Sequence, residues 1–252
     1  MKKLIALILI LSSFSCNAQE KCIDNENIGL GGDFNSIDYT FRCPTYNFSF
    51  TGDKSKEWNI LNNPIDINQV ADKVLPIKTR LENKIKEYAG EKLFSKLEFY
   101  SVQISYPDSI QKFKTRGPSV DMEKCNAKYF FNYYFVPTDS IKYCVGIALD
   151  ENENIVSEFN FPSKSDYKII DDNLDLCEVI EIAKETNNEI EPIDKVSFEF
   201  DPKNKVFYWS ITQKIIDMKE GENEYNAIAI DAADKTKVLS FKRKAFIQYI
   251  QY

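Results

Sequence analysis

The sequence predicts an α+β protein in which an export signal is followed by two units, each a helix packed on an antiparallel sheet. Three observations lead there. The first eighteen residues have the parts of a secretory leader. Apolar residues then change twice from the 3.6-residue spacing of a helix to the two-residue spacing of strands. Clusters of turn-forming residues separate the strand-like runs.

The leader opens with Lys2 and Lys3, continues through the apolar run Leu4 to Leu11, and ends in the small and polar segment Ser12 to Gln19. The apolar run is too short to span a bilayer, which takes ~20 apolar residues. Cleavage after Ala18, with Cys16 at −3, would release a periplasmic or secreted chain beginning at Gln19. A second reading takes Ser13-Phe14-Ser15-Cys16 as a lipobox, so that Cys16 is diacylated and holds the protein on a membrane. Serine at −3 and the polar residues before Cys16 weaken the lipobox, so cleavage after Ala18 is preferred. Later apolar stretches, such as Tyr133 to Pro137 and Ala227 to Ile230, are strand-sized.

Removal of residues 1–18 leaves 234 of the 252 residues, enough for one large domain or two small ones. The leader carries two lysines and no acid, so its loss takes the net charge from −7 to −9. That balance argues against nucleic acid, whose phosphates require a basic face. The one basic cluster, Lys242-Arg243-Lys244, is expected to be solvated at a strand end. Five cysteines remain beside Cys16: Cys22, Cys43, Cys125, Cys144 and Cys177. Cys22 and Cys43 lie in the same glycine- and asparagine-rich section and are expected to pair in an oxidising compartment. Cys144 and Cys177 fall on apolar faces of a strand and a helix and are expected to act as small buried hydrophobes.

Residues 19–63 read as a loop-rich extension with one or two short strands, in pieces such as Tyr39-Thr40-Phe41 and Tyr46 to Phe50. The first unit, 64–162, starts with a long helix capped by Asp66, with a stripe at Ile67, Val70, Val74, Ile77, Leu81, Ile85 and Tyr88. Pro76 is expected to kink or split it, and Gly90 to end it. Strands follow at Leu97 to Tyr106, Ala127 to Val136, Ile141 to Leu149 and Ile155 to Phe161. Pro137 to Ser140 and Glu151 to Asn154 form turns. The second unit, 163–252, repeats the order: a helix over Asp175 to Lys184, capped by Asp175, then strands at Lys195 to Phe200, Val206 to Met218, Glu224 to Ile230 and Thr236 to Lys242. Tyr129 to Phe135, Val145 to Asp150 and Ile155 to Phe159 can be laid against Phe207 to Ile211, Ala227 to Asp231 and Val238 to Phe241, which suggests duplication.

In the second unit Leu176 to Ala183, Tyr208-Trp209-Ser210-Ile211, and Tyr225 to Ala232 with Lys237-Val238-Leu239 match an opening helix, a central strand and a closing hairpin in turn. On these residues the stretch from about 173 to 242 resembles a PepSY-like domain, and the first unit fits by analogy. Asp234 to Lys237 lacks the glycine usual at that family's turn. The resemblance implies a small helix-on-sheet module, PepSY-like or cystatin-like in build, associated with binding or inhibition in the cell envelope and with no catalytic residues to carry over.

The chain has no histidine, which removes Ser-His-Asp and Cys-His catalysis and histidine-bearing metal sites. A pair of carboxylates remains chemically possible. Asp171-Asp172, Glu151 with Glu153, and Glu220, Glu222 and Glu224 all fall in turns or connectors, where solvated charge is the expectation. Asp150 to Asn154 begins like a calcium loop, but Ile155 and Phe161 replace the needed glycine and glutamate, so a turn is expected. Gly29-Leu30-Gly31-Gly32 lacks the strand–helix context of a phosphate cradle and reads as a flexible loop.

Tyr129, Phe131, Tyr133 and Phe135 on one strand face, with Phe130 and Tyr134 on the other, offer a core and a candidate recognition surface. The resulting expectation is an exported, non-enzymatic binding or inhibitory module for an envelope or secreted protein. It would need no cofactor or metal and would touch a membrane only through Cys16. Tyr208, Trp209, Tyr133 and Tyr134 are the residues to mutate. A carboxylate-based hydrolase and a structural surface lipoprotein are the alternatives.

Overall fold

The computed structural model describes residues 22–34, 45–48, 67–105, 128–138, 141–170 and 174–248. Cys16, Asp66, Cys43, Cys125 and the Asp171-Asp172 pair lie outside them. The architecture is α+β, with two five-stranded sheets and three α-helices among these residues.

Helix α1 (Ile67–Ala89) follows the apolar stripe: Val74, Ile77, Leu81 and Ile85 are buried. It runs unbroken through Pro76, which lies on the exposed side, away from that stripe. Gly90 ends it with a positive φ, its N–H donating to the Lys86 carbonyl at 2.9 Å. The short helix α2 (Glu91–Phe94) leads into β4 (Leu97–Ser105), β5 (Tyr129–Thr138) and β6 (Ile141–Leu149), an antiparallel meander. With β3 (Thr45–Phe48) on β4 and β2 (Gly31–Asp33) on β6, they make the first sheet.

Tyr129, Phe131, Tyr133 and Phe135 of β5 belong to the main core together with the α1 stripe. On the opposite face Phe130, Asn132 and Ala148 are buried as well. Burial on both faces explains why β5 is a nearly continuous apolar run. A register shift between Phe99 and Ser101 breaks the alternation expected of β4. Phe99 and Val102 therefore share the α1 face, where Lys78 sits 4.9 Å over the Phe99 ring, while Tyr100 turns to the other side and stacks on Phe34.

The fourth strand expected at Ile155 to Phe161 does not form. The segment makes one bridge, Ile155 to Leu149, and then leaves the sheet. β2 already occupies the outer edge of β6 at Tyr143 to Val145, so there is no free ladder for it to continue along.

The second half begins with α3 (Leu176–Thr186), capped by the Asp175 carboxylate accepting from the Glu178 N–H at 2.9 Å. A four-strand meander follows: β7 (Ile193–Asp201), β8 (Val206–Gln213), β9 (Gly221–Asp231) and β10 (Val238–Ile247). β8 is shorter and β10 longer than the spacing predicts. Lys242 and Lys244 lie within β10 and face Glu224 and Glu222 across the β9 ladder. β1 (Ile28–Gly29) completes this second sheet by pairing in parallel with β7.

The N-terminal segment thus joins both sheets. Ile28 and Gly29 pair with Val196 and Ser197, and within two residues Gly31 to Asp33 pair with Tyr143 to Val145. The Asn27 side chain donates to the Ile193 and Asp194 carbonyls. Gly29-Leu30-Gly31-Gly32 is therefore a strand crossing and not a flexible loop. A Cβ on Gly31 would collide with the Phe198 carbonyl, and one on Gly32, at φ +70°, with that of Cys144.

This course also corrects the cysteine pairing. Cys22 is bonded to Cys177, in the first turn of α3, and not to Cys43. Pairing with β7 carries the start of the chain past α3, whereas nearness in sequence favoured Cys43. Cys177 is accordingly a disulfide partner, while Cys144 is a buried free thiol as its strand position predicted.

The sheets share one core. Phe135 of β5 stacks on Phe207 of β8 at 5.0 Å with the rings 6° apart, and Tyr143 of β6 meets both Phe207 and Phe198 edge-on. Phe198 in turn packs edge-on against Trp209 at 5.2 Å. Burial of rings of this size is worth roughly 1.5–3 kcal/mol each, enough to hold the halves together.

Candidate binding cleft

Where the N-terminal segment leaves the second sheet and joins the first, it opens a cleft of about 600 Å³ between them. One wall is the end of β7 and its turn, with Glu199, Phe200 and Pro202; the other is the irregular segment from Val156 to Asn160. Gly32, Asp33, Tyr143 and Ala148 also line it. β1 pairs with β7 as far as Ser197, and beyond that point the Gly31 backbone of β2 lies against the Phe198 carbonyl.

Each wall is fixed by side-chain hydrogen bonds. Asn160 donates to the Asp33 and Cys144 carbonyls and accepts at its own carbonyl from the Tyr143 hydroxyl at 2.6 Å. The Ser157 hydroxyl accepts from the Ala148 N–H, which replaces the ladder bond lost when the chain leaves β6. Glu199 accepts from the Gly32 N–H and from the Ser197 hydroxyl.

The cleft is acidic. Asp33, Glu158 and Glu199 line it, and among the described residues no lysine or arginine does. The carboxylate of Glu199 is met only by neutral donors, and those of Asp33 and Glu158 are in no ion pair among the described residues. The charge reaches neighbouring groups: burial raises the Tyr143 hydroxyl far above the usual tyrosine range, and the Glu199 and Asp33 carboxylates add to it. The Cys144 thiol is pushed up to about 12 by burial, with Asp33 and Glu199 reinforcing, which keeps it protonated and unreactive. Among the described residues no three potential ligands converge on a site for a metal ion.

The residues that the sequence singled out lie elsewhere. Trp209 and Tyr133 are fully buried and present no recognition surface, and Tyr134 and Tyr208 are half-buried. Phe130 is buried too, so the second face of β5 is not an exposed aromatic surface. Glu153 is held by the Arg80 guanidinium through two hydrogen bonds, and Glu222 and Glu224 by lysines of β10. The Asp150 carboxylate accepts from the Asn152 and Asn154 amides and the Asn154 side chain, closing a turn on itself. Asp33, Glu158 and Glu199 went unnoticed because they come from three distant segments. The run of glycines before Asp33, which only a close backbone crossing requires, was the one available signal.

Neither a protein-family model, nor a curated protein, nor a solved structure matches this chain.

Proposed function

We propose that the protein is an exported, non-enzymatic binding module that engages a protein or peptide partner in the cleft between its sheets. The observation that carries this reading is the cleft itself, open, walled by Val156, Phe159 and Phe200, and bearing three carboxylates with no lysine or arginine among its described lining residues. A disulfide between Cys22 and Cys177 supports an oxidising compartment, as does the leader-like sequence before it. The helix-then-meander order in both halves supports two PepSY-like units, α1 with β4–β6 and α3 with β7–β10, bound together by the N-terminal segment. Association with the membrane would come only from acylation of Cys16.

A photo-crosslinking residue at Val156, which is 47% exposed in the cleft wall, tests the binding reading. Installed in the native exporting host, it is expected to trap one discrete partner that the same residue at the exposed Ile169, which does not line the cleft, does not trap. Equal labelling from both positions would count against a site in the cleft.

The three cleft acids are also the observation that favours the rival, a carboxylate hydrolase. That reading requires turnover of a glycan that Glu199→Gln and Asp33→Asn abolish.

A further inference from the structure

We propose that the disulfide between Cys22 and Cys177 is the latch of a redox-sensitive strap, residues 22–34, whose release by a dithiol reductant bares the buried thiol of Cys144. The device works whatever the cleft binds. Apart from its latch the strap is lightly held. Ile28 and Gly29 pair with β7, and Gly31 to Asp33 with β6. Three of those five residues are glycines, which bury no side chain, and Leu30 between the two strands is 50% exposed. The disulfide fixes the leading end of the strap to the first turn of α3, and an end that is not tied down frays first. Both cysteines are half-buried, so a reductant can reach the bond.

What the strap covers follows from the strand order. β6 lies between β2 and β5, with Gly32 opposite Cys144 on one side and Tyr134 opposite it on the other. Phe34 directly follows β2, yet its ring packs against that of Tyr134 at 5.3 Å. It therefore reaches across β6 on the face that carries Cys144, past Gly146, which has no side chain to block it. Cys144 is 4% exposed there. Asp33 of the strap adds to the burial that keeps this thiol protonated, so departure of the strap removes both the cover and part of the charge that suppresses the thiolate.

The chemistry is thiol–disulfide exchange. A thiolate of the dithiol attacks one sulfur and forms a mixed disulfide, and the displaced sulfur takes a proton. The second thiol of the reductant then displaces the other sulfur, which is protonated in turn. The protein gains two electrons and two protons, and the reductant leaves as its own disulfide.

The test alkylates the full mature chain with iodoacetamide under native conditions, before and after treatment with dithiothreitol and its removal, and follows each cysteine by peptide mapping. Amide exchange in β8 reports the state of the core in the same samples. The expected result is that Cys144 is protected in the oxidised protein and is labelled about tenfold faster or more once Cys22 and Cys177 are reduced, while the β8 amides stay protected. Phe34→Ala, with the disulfide intact, is expected to speed labelling of Cys144 without reductant. Rapid labelling of Cys144 in the oxidised wild type, or no change in Phe34→Ala, would overturn the cover. Unchanged labelling after Cys22 and Cys177 are shown to be reduced would overturn the latch. Labelling accompanied by loss of β8 protection would overturn it as well, because reduction would then unfold the protein and not release a strap.

Discussion

Cys22 and Cys177 are bonded to each other across 155 residues of chain. The bond fixes the start of the N-terminal segment to the first turn of α3, and from there the segment pairs with β7 and then β6. One covalent link therefore secures the strand that spans both sheets and forms part of the cleft wall.

A loop of that length gives the disulfide a large effect on the unfolded chain. Cys22→Ser is expected to lower stability by about 5 kcal/mol on the loop-entropy model. Urea unfolding of the oxidised protein and the variant checks this, and amide exchange is expected to rise most over residues 23–33, whose hold on the sheets is otherwise a few hydrogen bonds.

Gly31 and Gly32 allow the crossing, so their substitution is expected to be severe. Gly31→Ala meets the Phe198 carbonyl and Gly32→Ala the Cys144 carbonyl, both backbone atoms that cannot give way. A loss of about 2–3 kcal/mol is expected for each, in the range of overpacking. Gly221→Ala is the control. It also has a positive φ but meets nothing within 4 Å, so only the conformational cost of about 1 kcal/mol applies. Thermal or urea denaturation of the three variants gives the order.

The aromatic seam makes the halves one cooperative body. Phe131→Ala in the first sheet and Phe207→Ala in the second are each expected to cost about 3–5 kcal/mol and to shift the same single transition. Two separable transitions, one moved by each variant, would show that the seam does not couple the sheets.

Much of this fold was legible because most elements are periodic. The α1 stripe from Val74 to Ile85, the Asp175 cap and the extent of β6 each follow from local spacing, and the structure places them where that spacing puts them. What could not be read depends on partners distant in sequence. β1 and β2 are short and glycine-rich, and their parallel partners lie more than 100 residues away. The expected strand at Ile155 fails because β2 holds the edge it needed, and the register shift at Tyr100 turns one ring to the wrong face for simple alternation. The cleft was hidden for the same reason, since Asp33, Glu158 and Glu199 meet only once β2 has crossed between the sheets.

The turn joining β9 to β10 carries a pH dependence whose sign can be stated. Hydrogen bonds from Thr236 and Lys237 hold the Asp234 carboxyl down to about 2, below its unfolded value of about 3.9. A depressed carboxyl contributes stability above the unfolded value and loses it as pH falls toward the folded one. Wild type is therefore expected to lose stability between about pH 4 and pH 2 more steeply than Asp234→Asn. Acid titrations of both proteins followed by circular dichroism check the difference, which is small because the group is exposed.

The most direct test of the account is a peptide map by mass spectrometry of the mature, unreduced protein recovered from its native cell envelope. The expected result is a chain beginning at Gln19 and a cross-linked peptide containing Cys22 and Cys177. A link from Cys22 to Cys43, or free thiols at Cys22 and Cys177 in freshly recovered protein, would contradict the disulfide-held strand that joins the two sheets.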